Sequence, residues 1–330
     1  MRSKVWTVFS VVIVLTLLLA PVATYAQSLN IAWIHSNAAA QSEQRARAGF
    51  EQYLKEQGWN WQISYSDGRG SGERLAALLE DAVQRGADAI IVSMADLRAA
   101  RAALDMAREA NIPVFAIDSG WVPGVLVDVT SNNWLMSAKI SSYLIDSLGG
   151  QGNIIFFRMA EHHGTRKRGD VMETMLKEFP GIRVLAEHNI DYTNFYEDTL
   201  RTMEDYIERF GDQIDAVWAP WDEPAQAAAT ALMAHGYTRD DVFVTGIDGH
   251  PSAIQEMSNP NNPFKATVAQ AFELMGIRTA EWIHAIVVEG RNPDEVIPDK
   301  TVYLRSPLVT PNNMPEEGQL PWQVDDTYSQ

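Results

Sequence analysis

Along this chain, side chains able to do polar chemistry recur just after short apolar runs. The stretches are His35-Ser-Asn-Ala-Ala-Ala-Gln-Ser-Glu43, Asp118-Ser-Gly120, Glu161-His-His-Gly-Thr-Arg-Lys-Arg168, Asp191-Tyr192, Pro220-Trp-Asp-Glu223, Asp248-Gly-His250 and Gln270. Together they mix carboxylates, an arginine pair, amides and aromatic rings. A hydroxyl-rich ligand needs that mixture, because carboxylates, amides and guanidinium make bidentate hydrogen bonds while rings stack on C–H faces. Each residue taken alone has a structural use as well. An Asp at a strand end also caps the next helix, Arg166 and Arg168 also suit a solvated helix face, and Tyr192 and Trp221 also suit a core.

Enzyme chemistry finds less support. A dinucleotide fold needs GxGxxG directly after its first strand, whereas Gly68-Arg-Gly70-Ser-Gly72-Glu73 follows the second and has Glu in the third glycine position. GxxxxGK[ST] and GxSxG are absent. His162 and His163 are adjacent, so their rings are expected to diverge, unlike the HExxH spacing that aims two imidazoles at one metal. No metal site and no cofactor is expected.

The elements that carry these residues alternate regularly. Leu29 to His35 is expected as a buried strand, and Ala46, Phe50, Tyr53 and Leu54 form one face of a helix that ends at Gly58. Strands are then predicted at 61–66, 89–93, 114–118 and 125–130, with helices at 73–85 and 95–110 between them. A second series has helices at 134–148, 167–179, 195–210 and 223–235 and strands at 153–158, 183–190, 216–219, 242–247 and 265–269. A helix at 276–288 and a strand near Val302 can return the chain to the first unit; from Pro307 the tail lacks periodicity. Strands separated by helices of this length pair in parallel through right-handed crossovers. The expectation is an α/β protein of two doubly wound parallel-sheet lobes. Such sheets bind ligands beyond the carboxyl ends of their strands, which is where the polar stretches fall.

Composition narrows the partners. The chain has 330 residues, 26 Lys and Arg against 43 Asp and Glu, and a net charge of -17. That balance excludes a nucleic-acid footprint, and the absence of cysteine excludes disulfides, thiolate metal sites and thiol nucleophiles. Arg2 and Lys4 precede an apolar run from Val5 to Ala20, then Pro21 and a small-residue stretch ending at Ala26. At about 16 residues the run is shorter than the ~20 that span a bilayer, so residues 1–26 are expected to be a cleaved export signal rather than a retained anchor. With no cysteine to carry lipid, the mature protein from Gln27 is expected to be periplasmic, without a stable membrane anchor.

In order and local wording, the chain from Leu29 to about Val309 resembles the ribose-binding type of periplasmic sugar-binding proteins of ABC transporters, the type I periplasmic binding proteins. The resemblance rests on Ala110-Asn-Ile-Pro-Val-Phe-Ala-Ile-Asp118, Arg166-Lys-Arg-Gly169, Ala216-Val-Trp-Ala-Pro-Trp-Asp-Glu223, Thr245-Gly-Ile-Asp-Gly249 and Ala266-Thr-Val-Ala-Gln270. It implies a three-crossover hinge near 130–132, Gln270 and Val302, with residues 27–131 plus 271–302 as the N-terminal lobe and 132–270 plus 303–330 as the C-terminal lobe and tail. It implies a sugar or polyol in the cleft, contacted by Gln41, Ser42, Glu43, Asp118, Arg168, Tyr192, Trp221, Asp248 and Gln270. The implied partner is the membrane permease of an ABC transporter, and the implied state is a monomer. A sensory protein reporting to a chemoreceptor or histidine kinase is the alternative. The related repressors need an amino-terminal DNA-binding helix pair, where this chain has an export signal.

Three departures sit in the expected pocket. Ser42 and Glu43 replace the two phenylalanines of ribose binders, Ser119 replaces an Arg, and Trp221 replaces an Asn. A standard ribose pocket is therefore not expected. Were Glu43, Asp118 and Asp248 to converge on one cleft, a ligand with an amino group would relieve their repulsion.

Overall fold

The computed structural model describes residues 28–326. The expected export signal lies outside the described residues. Among them no helix is long and apolar enough to cross a membrane.

The first sheet is built from β1 (Asn30–His35), β2 (Gln62–Asp67), β3 (Ala89–Ser93), β4 (Val114–Ile117) and β5 (Val127–Ser131), connected through α1 (Gln41–Gln57), α2 (Gly72–Gln84) and α3 (Arg101–Glu109). The chain then crosses into α4 (Asn133–Ser147), β6 (Gly152–Arg158), α5 (His163–Glu178), β7 (Ile182–Asn189), α6 (Phe195–Phe210), β8 (Ala216–Trp218), α7 (Asp222–Ala234), β9 (Phe243–Asp248), α8 (Pro251–Ser258) and β10 (Phe264–Ala269). It returns through α9 (Phe272–Ile283), α10 (Pro293–Val296) and β11 (Thr301–Leu304), and crosses a last time into β12 (Leu308–Val309). The two six-stranded sheets have the orders β11-β5-β4-β3-β1-β2 and β12-β10-β9-β8-β6-β7. All pairings are parallel except β12 against β10.

Alternation along the strands explains the double winding. In β1, Ile31 and Trp33 pack on one face with Phe50 of α1 and Phe272 of α9, while Ile34 packs on the other with Leu79 of α2 and Leu104 of α3. In β6, Ile155 and Phe157 face α6 and α7, whereas Ile154 and Phe156 face Met136 and Ile140 of α4. Burying one such side chain contributes about 1.5–3 kcal/mol. Helices α1 and α9 approach backbone to backbone. A Cβ on Gly276 would lie 2.1 Å from the Ala46 carbonyl oxygen, and one on Gly49 would lie 2.2 Å from that of Glu273. This crossing fixes the rotation of α1 and hence which side chains of its first turn face the cleft. Gly58 ends α1 in the left-handed conformation, φ 70°, and its N–H bonds to the Lys55 carbonyl.

Several element bounds depart from the sequence pattern for local reasons. Helix α5 starts at His163, not 167, because the His162 ring accepts the N–H groups of Gly164 and Thr165 as its cap. β11 runs to Leu304, beyond the expected lobe boundary at 302, because Tyr303 and Leu304 still pair with Thr130 and Ser131. The third crossover therefore falls at 305–307. α8 and β12 were absent from the sequence pattern, being too short to establish a period. The tail wraps: Trp322 Nε1 donates to Glu273 Oε2 (3.2 Å), and the Lys139 ammonium pairs with Asp326.

Candidate functional site

The carboxyl ends of both sheets face one cleft. Asp118 follows β4 and Asp248 ends β9, and both depart from ordinary strand geometry, with φ 44° and 130°. Such positive values cost energy in a non-glycine residue and are held in place only by their surroundings. Asp118 Oδ1 accepts from Thr130 Oγ1 (2.6 Å) and Asn133 Nδ2 (3.3 Å), and Asp248 Oδ1 accepts from Gln270 Nε2 (2.7 Å). Both aspartates are buried.

Arg168, from the second turn of α5, lies between them. Its Nε donates to Asn133 Oδ1 (2.7 Å) and its Nη1 to the Pro220 carbonyl (2.8 Å), which orients the guanidinium. Nη1 is 3.5 Å from Asp248 Oδ1 and Nη2 is 3.8 Å from Asp118 Oδ2. One buried cation thus serves two buried acids, one from each lobe. Burial opposes ionisation of Asp118, but Arg168 and the Thr130 hydroxyl hold it below the usual carboxylate range. Burial prevails at Asp248, whose carboxyl is raised despite Arg168 and His250.

Rings and thioethers complete the walls. Trp221 caps α7, donates Nε1 to Glu223 Oε2 (3.0 Å), and stands nearly perpendicular to Tyr192, with centroids 6.3 Å apart and planes at 77°. A cavity of about 40 Å³ is enclosed by Ser42, Asp118, Arg168, Tyr192, Trp221 and Asp248, with Met94, Met159, His162 and Phe272 among its other walls. Met94, Met159 and Phe272 carry no polar side-chain group to mark them in the sequence, and His162 lies in the 161–168 stretch without being one of the contacts that the resemblance implies. Met94 and Met159 directly follow β3 and β6, so the strand-end rule applied to apolar residues would have found them.

Gln41, Glu43 and Gln270 do not line this cavity. Gln41 bridges the lobes: its N–H donates to Glu223 Oε1 (3.0 Å) and its Oε1 accepts from Ser252 Oγ (3.0 Å). Gln270 orients Asp248 and offers its carbonyl to Arg45 (3.0 Å). Glu43 requires a correction to the expected convergence of three acids. Its carboxylate turns under the first sheet, taking the Ser36 N–H (2.8 Å), the Ser93 hydroxyl and His35 Nδ1 (2.8 Å). Side chains in a helix lean toward its amino terminus, and here that direction leads to the ends of β1 and β3.

The histidine pair also differs from expectation. His162 is the extended cap residue and His163 the first helical one, so the rings converge instead of diverging. Both Nε2 atoms lie 3.2 Å from the Asp118 carbonyl oxygen, with ring centroids 4.7 Å apart. Burial and the neighbouring His163 push His162 down to about 3, so it is neutral at ordinary pH. Of the arginine pair only Arg168 lines this cavity. Arg166 donates to the Ala160 carbonyl (2.6 Å) and lies 3.8 Å from Asp96 of the first lobe.

Comparison with known proteins agrees with this geometry. The family model described as periplasmic binding protein domain matches residues 31–291. The xylitol-binding protein of Mycolicibacterium smegmatis is 26% identical over 205 residues, 62% of this chain and 57% of that protein. The ribose import binding protein of Bacillus subtilis is 27% identical over 237 residues, 70% of this chain and 72% of that protein. In three dimensions, an ABC transporter solute-binding protein of Agrobacterium vitis with bound allitol superposes with TM-score 0.76 at 24% identity, covering 86% of this chain and 96% of that one. This last likeness is one of fold.

Proposed function

Since this chain belongs to the periplasmic binding protein family, we propose that it captures a sugar or polyol between its lobes and delivers it to the membrane permease of an ABC importer. The observation that carries the reading is Arg168 held between Asp118 and Asp248 at the facing strand ends. Ser42 and Asp118 contact the ligand from one lobe, and Arg168, Tyr192, Trp221 and Asp248 from the other. The aspartates accept hydroxyls, Arg168 donates, and the rings cover C–H faces. Gln41, Glu43 and Gln270 act one step back, through the groups they hold.

The mechanism is hinged closure. A ligand touched by both lobes favours the closed state by the difference between its affinities for closed and open forms. The protein binds without transforming its ligand, and works as an exported monomer in the periplasm after removal of residues 1–26. Relatives named for import support the transporter as partner over a sensor.

A thermal-shift screen of the chain from Gln27, refolded free of carried ligand, tests this against pentoses, hexoses, polyols, inositols and amino sugars. A ligand at one hundred times its Kd adds about 2.7 kcal/mol of stability. No rise in Tm with any member would overturn the reading.

A further inference from the structure

Cavities that hold small molecules run to about 300–1,000 Å³, and the space between Asp118, Arg168 and Asp248 is only about 40 Å³. Next to it lies a cavity of about 520 Å³ whose walls include Gly70, Ser71, Leu75, Arg98, Ala99 and Glu161. The two share His162 and Tyr192 as a common wall. That wall is a contact between lobes, not continuous chain. Gly70 belongs to the first lobe, and a Cβ there would lie 2.9 Å from Cδ1 of Tyr192, which belongs to the second. Hinge opening separates the two sides, so a ligand longer than one ring can enter across both spaces and be closed upon.

The charges of the larger cavity select the chemistry of the part it holds. Arg98 is bound to Asp96, Nε to Oδ1 at 2.8 Å with Nη2 on Oδ2, so its cation is already matched. Arg166 Nη2 lies 3.8 Å from the same Asp96, and Glu161 accepts from Asn189 Nδ2 (3.0 Å), so two cations and two carboxylates balance at this cavity. No unmatched charge is left to select an ionic group there. Apolar Leu75 and Ala99 beside the Ser71 hydroxyl and exposed glycine backbone suit a group with C–H faces and a polar rim.

We propose that the ligand is a sugar extended by a neutral group, a second sugar ring or an uncharged aglycone, with the extension seated against Gly70, Ser71, Ala99 and Glu161. The inference rests on the sugar-binding reading of the cleft.

Titration calorimetry on the chain from Gln27 tests it, using D-xylose, D-ribose, D-glucose and D-galactose, each beside its phenyl glycoside and a disaccharide that contains it. At least one extended compound is expected to bind about tenfold or more tightly than its parent sugar. Glu161→Trp, an exposed position, is expected to remove that advantage and leave the parent's affinity unchanged. Ala99→Leu fills the cavity from the opposite wall and should act in the same way. Parents that bind as tightly as their extended forms, with both variants silent, overturn the extension and leave sugar binding standing. Absence of binding by all members overturns both.

Discussion

Asp118 and Asp248 are counterparts: each stands at the carboxyl end of a parallel strand with positive φ, each has one oxygen fixed by neighbouring side chains, and both face Arg168. They come from different lobes, so the arginine ties the lobes as well as the charges. Removing it strands two buried carboxylates. Arg168→Met, which keeps much of the volume, is expected to lose about 3–5 kcal/mol of stability in urea denaturation and to abolish ligand binding. Wild-type stability in the variant would show that the acids do not depend on it.

Ligand contact from both lobes predicts separate losses. Asp248→Ala removes a hydroxyl acceptor and Trp221→Ala removes a ring. Each is expected to weaken binding tenfold or more, about 1.4 kcal/mol or above, by calorimetry. Unchanged Kd in both variants contradicts the site.

A buried acid on the first sheet makes stability depend on pH. Asp128 is 1% exposed; its Oδ1 takes the Ser119 N–H (3.0 Å), and its Oδ2 has no hydrogen-bond partner among the described residues. Burial pushes its carboxyl from 3.8 up to about 7. Between those values the folded chain keeps a proton that the unfolded chain has lost, so this group's contribution falls as pH rises through the window. Asp128→Asn removes the effect. Relative to wild type, the variant is expected to gain on the order of 2 to 4 kcal/mol between pH 4 and pH 8 in denaturant titrations. A stability difference that stays constant with pH argues against it.

Glu43 separates a structural role from a ligand role. Its carboxylate serves Ser36, Ser93 and His35, away from the cavity. Glu43→Gln is expected to cost about 1–3 kcal/mol of stability, through a buried bond left unmade. The ratio of affinities for neutral and amino-bearing sugars should not change. Selective loss of the amino sugar would place Glu43 against the ligand after all.

Much of this was legible in the residues because it depends on short-range pattern. Short apolar runs predicted the strands, helical spacing at Ala46, Phe50 and Leu54 predicted α1, and Gly58 marked its end. The rule that ligands meet strand ends marked the polar stretches, and within them the family resemblance implied Ser42, Asp118, Arg168, Tyr192, Trp221 and Asp248, which the structure gathers around one cavity. Legibility stopped where rotation or the meeting of distant segments decides. Ser42 and Glu43 are neighbours in the same helical turn, and only the close crossing of α1 on α9 at Gly49 and Gly276 sends one to the cleft and the other under the sheet. Met94 and Phe272 have the composition of core residues until the lobes meet.

By itself, then, the sequence determined the alternation of strand and helix, the absence of thiol chemistry, and the set of polar residues at strand ends. These are local consequences of side-chain period, charge and composition. Tertiary structure alone decided that His162 and His163 converge on the Asp118 carbonyl, that Arg168 sits between acids 130 residues apart in Asp118 and Asp248, and that a large second cavity opens beside Tyr192. Those outcomes depend on how two lobes close on each other, and no spacing along the chain encodes that distance.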